Sequence, residues 1–300
     1  MINSLTRSSV SAAILSIAIL VGYVFVLQVS DVQELILMGL LFVQGVFLNA
    51  LCTRYSILGI KSQLPLILFI VISVIILPNI ALRHLVLGFV WLVAFFLAFE
   101  SREDDKKSMN YILFFGVVLG IAQAIENTSI LLFLPVVLLF VQTGKRSTKS
   151  FLLSFMYFLM VILSYAGILF VMEIPDKIMG LIPSLLFDYT VFDTIVIRLF
   201  FPLVIVNLIM HFLKIGNYPF RYPNRTKILN YTLALQLAIA VFLVLSTAQI
   251  EFLIYFVHPA AVLLSFAYAY NAKNTFVNSA ILALMFTAGA SLVAYRALFL

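Results

Sequence analysis

The sequence has few of the residues from which soluble enzymes build their sites. Only 10% of its 300 residues are charged, and it holds one cysteine and three histidines. The single cysteine, Cys52, excludes an intrachain disulfide. No HExxH, CxxC or GxSxG motif occurs in the chain. The sequence therefore predicts no cofactor and names no catalytic residue.

Apolar residues are abundant instead. They make up 64% of the chain, against about 45–50% in a soluble globular domain. The apolar runs are continuous and do not alternate, which argues against a membrane β-barrel. Backbone groups in lipid must then be satisfied within helices. We expect an all-α, polytopic transmembrane helical bundle, with residues 1–300 forming a single integral membrane domain.

About eleven membrane segments are predicted, some of them short or re-entrant. At 1.5 Å per residue, segment 64–77 is about 21 Å long and segment 130–141 about 18 Å, against a hydrocarbon core of about 30 Å. Segments 111–125 and 130–141 predict a helical hairpin that turns at residues 126–129, and whether either one fully spans the membrane is left open. The predicted segments are 10–29, 35–52, 64–77, 80–99, 111–125, 130–141, 150–172, 191–213, 228–248, 250–270 and 276–297.

The basic residues give the expected orientation. With the N-terminus placed inside, fourteen of the 18 lysines and arginines fall on the inner side. This bias predicts a multi-pass protein of the bacterial inner membrane, with a cytoplasmic N-terminus and a periplasmic C-terminus. It also explains the net charge of +6 without a nucleic-acid partner.

Polar residues recur in the predicted outer half of the membrane. His258 and Arg198 each lie about 10 Å deep in their segments, where an ionisable group tends to face a cavity or another polar group. His211 falls near the inner face, so the three histidines predict no metal site. The alternative is that the arginines reach the outer interface and the acids are solvated turn residues. The candidate outward-facing polar cavity comprises Asp31, Glu34, Arg83, His84, Glu126, Asn127, Arg198 and His258.

Residues 40–77 carry a resemblance to a known family. Gln44 and Asn49 lie in the second segment, a basic loop follows, and Leu64-Pro65 opens the third. This pattern resembles an uncharacterised polytopic inner-membrane family of Bacteroidota, known only as a domain of unknown function. The resemblance implies a location and a topology, and it supplies no catalytic residue.

Three functions stay open at this point. The leading hypothesis is an accessory or structural component of cell-envelope biogenesis, because no motif for chemistry occurs. An alternative is a membrane glycosyltransferase-like enzyme that acts on polyprenyl-phosphate-linked sugars at the outer leaflet, since arginine binds phosphate well. A third is a transporter, which would need interrupted helices around a central site. The expected partners are the lipid bilayer and either a lipid-linked phosphate substrate or other membrane proteins.

Overall fold

The computed structural model describes residues 9–27, 32–58, 62–76, 81–100, 106–143, 148–172, 223–247 and 250–270. In these ranges the chain forms nine α-helices and one 3₁₀ turn, and no strand. The helices are α1 (Ser9–Leu27), α2 (Val32–Arg54), α3 (Leu64–Ile76), α4 (Leu82–Glu100), α5 (Lys106–Ile125), α6 (Ser129–Thr143), α7 (Thr148–Val171), α8 (Pro223–Thr247) and α9 (Ile254–Tyr270), with the 3₁₀ turn at Ile250–Leu253.

The all-α prediction is confirmed, but the count of eleven segments is not supported. Nine of the predicted segments correspond one to one with the nine helices of the described ranges. The other two, 191–213 and 276–297, lie outside the described residues. Continuous apolar runs mark each helix well because a helix in an apolar environment needs little polar surface. They do not separate a spanning helix from a short helix of the bundle interior.

Four helices in the described part of the chain are long and apolar enough to cross a membrane, which indicates a membrane protein. They are Val32–Arg54, Leu82–Glu100, Ser150–Val171 and Ile228–Thr247. The apolar stretches of the other five helices are shorter, at 10–17 residues; α3, for example, has 13 residues and is about 20 Å long.

The two short helices α3 and α9 form the centre of the bundle. Every side chain from Leu64 to Val74 is buried, and so is every side chain from Phe252 to Phe266. These two helices pack on each other, α1 and α2 pack on α3, and α8 packs on α9. A helix that is apolar on all sides and buried on all sides belongs inside a bundle.

Helix α7, by contrast, is mostly exposed, because it packs mainly on α5. The contact is close: a Cβ added at Gly116 would collide with the backbone carbonyl of Ser154, and one at Gly120 would lie 2.7 Å from Cβ of Val161. Two glycines four residues apart on one helix face allow this approach, as in membrane helix pairs.

Helices α2 and α4 run in the same direction through the bundle. Their carboxyl ends meet, since Tyr55 and Arg54 both contact Glu100. The amino end of α4 therefore lies at the other end of the bundle, together with the α5–α6 turn and the 3₁₀ turn, because Arg83 contacts both Glu126 and Glu251.

Candidate functional site

A charged cluster lies at the amino end of α4. Arg83 Nη2 is 3.6 Å from Glu251 Oε2, and Arg83 Nη1 is 3.8 Å from Glu126 Oε2. His84 Nε2 is 2.7 Å from Glu251 Oε2. The cluster joins three elements: the start of α4, the α5–α6 turn and the 3₁₀ turn before α9. Its members differ in exposure, from 53% for the Arg83 side chain to 0% for His84.

The imidazole of His84 has partners on both ring nitrogens. With its proton on Nδ1, it donates to Tyr255 Oη at 3.4 Å, and Nε2 accepts from Arg83 Nε–H at 3.2 Å. Glu251 Oε2 lies 2.7 Å from Nε2 but has no hydrogen-bond partner among the described residues. The neutral imidazole is therefore satisfied as the Nδ1–H tautomer.

The α5–α6 turn is held largely by Gln123, a residue that sequence reasoning did not single out. Gln123 Nε2 donates to the Asn127 carbonyl at 2.8 Å, and Gln123 Oε1 accepts from Ser129 Oγ at 3.2 Å and from the Ile130 amide at 3.1 Å. Thr128 Oγ1 donates to Glu126 Oε1 at 3.2 Å. The non-helical backbone is thus satisfied from within the protein, as apolar surroundings require.

A second polar group lies deeper, between α2, α4 and α9. His258 Nε2 is 3.2 Å from Gln44 Oε1, and Gln44 Nε2 donates to the Leu85 carbonyl at 2.5 Å. His258 and Gln44 are both about 1% exposed. A Cβ added at Gly88 would lie 3.0 Å from His258 Cε1, so glycine is required for α4 to approach this pair.

Aromatic rings and a carbonyl complete the surroundings of His258. The rings of Phe69 and Trp91 have centroids 5.0 Å and 5.4 Å from the imidazole. His258 Nδ1 is 3.1 Å from the Ile254 carbonyl. The carbonyl freed by Pro259 is that of Tyr255, one residue after the carbonyl that His258 contacts.

A third polar group lies at the far end of α4. Glu100 Oε1 is 2.5 Å from Arg54 Nη2 and accepts a hydrogen bond from the Tyr55 hydroxyl at 2.7 Å. Burial and the adjacent Glu100 carboxylate raise the pKa of Tyr55. Glu100 is the last residue of α4, and its side chain is only 17% exposed.

Two grooves lie along α7, and both are largely apolar. One, of about 200 Å³, lies between α5, α6 and α7 and is lined by Phe115, Phe140 and Phe155 among others. The other, of about 680 Å³, lies between α5 and α7. Neither is lined by the residues of the charged cluster, so neither is the polar cavity expected from the sequence.

The structure brings together part of the predicted set of site residues. Arg83, His84 and Glu126 are members of the charged cluster, and Asn127 lies in the adjacent turn. His258 belongs to the separate, deeper pair with Gln44. Glu34 lies in the first turn of α2, ten residues and about 15 Å along the helix from Gln44. The predicted residues Asp31 and Arg198 lie outside the described residues.

Sequence reasoning missed three members of these groups. Glu251 was assigned to the outer half but not to the site, and Tyr255 and Gln123 were not considered. A usable signal was present in the sequence: Glu251, Tyr255 and His258 recur at spacings of four and three, a pattern that predicts one helix face, although Glu251 lies in the 3₁₀ turn before α9. Gln44 makes a hydrogen bond to another helix, at the Leu85 carbonyl, whereas Asn49 donates to Gln63, which precedes α3.

The chain matches a known protein family. Residues 2–298 match a family described as "Family of unknown function (DUF6427)", and the chain belongs to that family. No curated protein matches the chain, and no solved structure matches it.

Proposed function

We propose that this member of the DUF6427 family is a multi-pass protein of the bacterial inner membrane that acts as a non-catalytic, accessory component of cell-envelope biogenesis. The observation that carries the proposal is the mutual pairing in the charged cluster. Each of its ionic groups contacts another member, and together they fasten three elements at one end of the bundle. This arrangement supports a role in holding shape at the membrane surface.

The charge of the cluster weighs against an enzyme of lipid-linked phosphates. Arg83 contributes one positive charge, whereas Glu126 and Glu251 contribute two negative charges within 4 Å of it. With His84 neutral, the group carries a net charge of −1. An anionic phosphate would meet repulsion there, and the guanidinium that should bind it already has two carboxylates as neighbours.

A specific observation favours transport as the second candidate. The central helices α3 and α9 are short and buried, and α9 begins with a 3₁₀ turn. Interrupted helices around a buried polar group are a feature of transporters, and His258 with Gln44 provides such a group.

Complementation tests the accessory role. In a strain that lacks the gene, Arg83→Gln should restore resistance to detergent in proportion to the amount of variant protein in the membrane, because the residue acts by holding the fold. Arg83→Lys keeps the charge and serves as the matched control. Full loss of resistance at a normal amount of Arg83→Gln protein would instead indicate a chemical role for this side chain and would overturn the proposal.

Reporter fusions test the location. A fusion after Lys149 should report the cytoplasmic side, and a fusion after Leu300 should report the periplasmic side. If both report the same side, the count of membrane segments is wrong by an odd number, and the proposed topology fails.

A further inference from the structure

Helices α5 and α7 lie side by side and run in the same direction. Gly116 of α5 lies against the Ser154 carbonyl of α7, and four residues later Gly120 lies against the Phe158 carbonyl. The carboxyl ends of the two helices therefore lie at the same end of the bundle. That end is the one where α5 turns into α6 and where the charged cluster is found.

The larger groove between these helices has the length of one leaflet of a bilayer. It is lined on α7 from Tyr157 to Ile168, eleven residues apart and so about 16 Å along the helix. Half of a hydrocarbon core of about 30 Å is about 15 Å. The groove volume of about 680 Å³ is ordinary for a ligand site. Ile121 and Ile125 line the groove and are exposed, so it is open along its side. These dimensions fit one acyl chain of a lipid.

The charged cluster adjoins the end of this groove. Ile125 lines the groove, and the next residue is Glu126, whose Oε2 lies 3.8 Å from Arg83 Nη1. Glu251 Oε2 lies 3.6 Å from Arg83 Nη2, and 31% of the Glu251 side chain is exposed. With His84 neutral, two carboxylates and one guanidinium leave one negative charge unbalanced. A cationic group at this end of the groove would balance that charge.

We propose that the groove and the cluster together bind a phospholipid with a primary ammonium headgroup. One acyl chain lies in the groove, and the ammonium lies beside Glu126 and Glu251. A primary ammonium offers three N–H donors to carboxylate oxygens, and such charge-assisted hydrogen bonds are stronger than neutral ones. A quaternary ammonium has no N–H donor, and a headgroup with a phosphate alone would be repelled by the unbalanced negative charge. The site therefore selects phosphatidylethanolamine, and this selection does not depend on the accessory role.

Competition between lipids of identical chains tests the inference. The purified full-length protein in detergent receives equal amounts of dioleoyl phosphatidylethanolamine, phosphatidylcholine and phosphatidylglycerol, and native mass spectrometry measures how much of each lipid stays bound. Because the chains are the same, a preference reports the headgroup. We expect phosphatidylethanolamine to be bound about fivefold or more over either competitor. Equal binding of the three lipids, or a preference for phosphatidylglycerol, would overturn the inference even if every variant failed to fold.

Two variants separate the headgroup contact from the chain contact. Glu126→Gln removes the unbalanced charge, so it should bring the three lipids close to equal binding. Glu34→Gln removes a carboxylate from the first turn of α2 and, as the matched control, should keep the preference. Ala124→Phe places a ring in the groove and should reduce the binding of all three lipids.

The variants can also contradict the proposed site. An unchanged preference in Glu126→Gln would mean that the cluster does not read the headgroup. Unchanged binding of phosphatidylethanolamine in Ala124→Phe would mean that the chain lies elsewhere. Either result would overturn the inference and leave the accessory role standing, because that role is tested in cells through Arg83.

Discussion

Helices α4 and α7 have almost the same mean hydropathy and very different surroundings. In α4, 61% of the most apolar window is buried inside the protein, whereas in α7 the figure is 11%. Helix α4 carries His84, Trp91 and Glu100, each of which contacts a residue of another element. Helix α7 instead presents large apolar side chains such as Phe170, which is 72% exposed.

The difference shows what average hydropathy can and cannot tell. It identifies a helix that tolerates lipid, because lipid tails are as apolar as leucine. It does not identify which helix lies inside the bundle. Within the described residues, that distinction follows the polar and small residues: a buried polar residue needs partners on other helices, and a glycine permits close approach on one face.

Two phenylalanine substitutions test this comparison most directly. Phe69 in α3 is 0% exposed and packs on His258, so Phe69→Ala should destabilise the protein by about 3–5 kcal/mol through the cavity it leaves. Phe170→Ala, its control on α7, should change the stability by less than about 0.5 kcal/mol. The measurement is the apparent melting temperature of each purified variant in detergent. Equal losses for both would mean that α7 is packed as tightly as the interior.

Glycine substitution tests how α7 is held. Gly116→Ala places a Cβ against the Ser154 carbonyl and should cost about 1–3 kcal/mol, because one of the two backbones must shift. Gly167→Ala, on α7 itself, meets nothing within 4 Å and should be neutral or slightly stabilising. The same melting experiment compares them. A neutral Gly116→Ala would show that α7 does not dock on α5 through this glycine.

Much of the fold could be predicted because each helix contains one apolar run, although α5 and α8 each begin five residues before theirs. The hairpin of α5 and α6, with its turn at residues 126–128, followed from charge counting together with the short length of segment 130–141. The spatial arrangement could not be predicted. Nothing in an apolar run says which of its sides will be buried, and the full burial of α3 became visible only with its neighbours in place.

Part of the candidate site could also be predicted, from the order of the apolar segments along the chain. Arg83, His84 and Glu126 share one end of the bundle because alternating segments bring every second turn to the same side. Glu251 follows from the same rule. That His258 pairs with Gln44 could not be inferred, because the contact depends on how far α4 approaches at Gly88.

A double-mutant cycle measures the contact between His84 and Glu251. His84→Gln and Glu251→Gln should each destabilise the protein by about 1–2 kcal/mol, because each removes one partner of a short, charge-assisted contact. The double variant should lose less than the sum, with a coupling energy of about 1 kcal/mol. Glu34→Gln, in the first turn of α2, is the control for loss of one carboxylate. If the losses of stability in the two single variants simply added in the double variant, the side chains of His84 and Glu251 would not interact in the folded protein.

The smallest effect is expected at the far end of α4, where Tyr55 lies just beyond the carboxyl end of α2. Its hydroxyl donates to Glu100, and burial together with that carboxylate raises its pKa above the ordinary tyrosine value of 10.0. An acid whose pKa is higher in the folded state stabilises the fold fully at pH below the unfolded value and loses that contribution as the pH rises toward the folded value. The wild-type protein should therefore lose stability above pH 10 relative to Tyr55→Phe, which has no hydroxyl to ionise. Because Tyr55 is partly exposed, we expect the wild-type protein to lose only a few tenths of a kcal/mol of stability per pH unit.

The measurement is the difference between the melting curves of wild type and Tyr55→Phe across alkaline pH, which cancels the titration of lysines common to both. A constant difference would mean that the unfolded chain ionises no more readily than the folded one, and that the Tyr55–Glu100 hydrogen bond does not hold the proton.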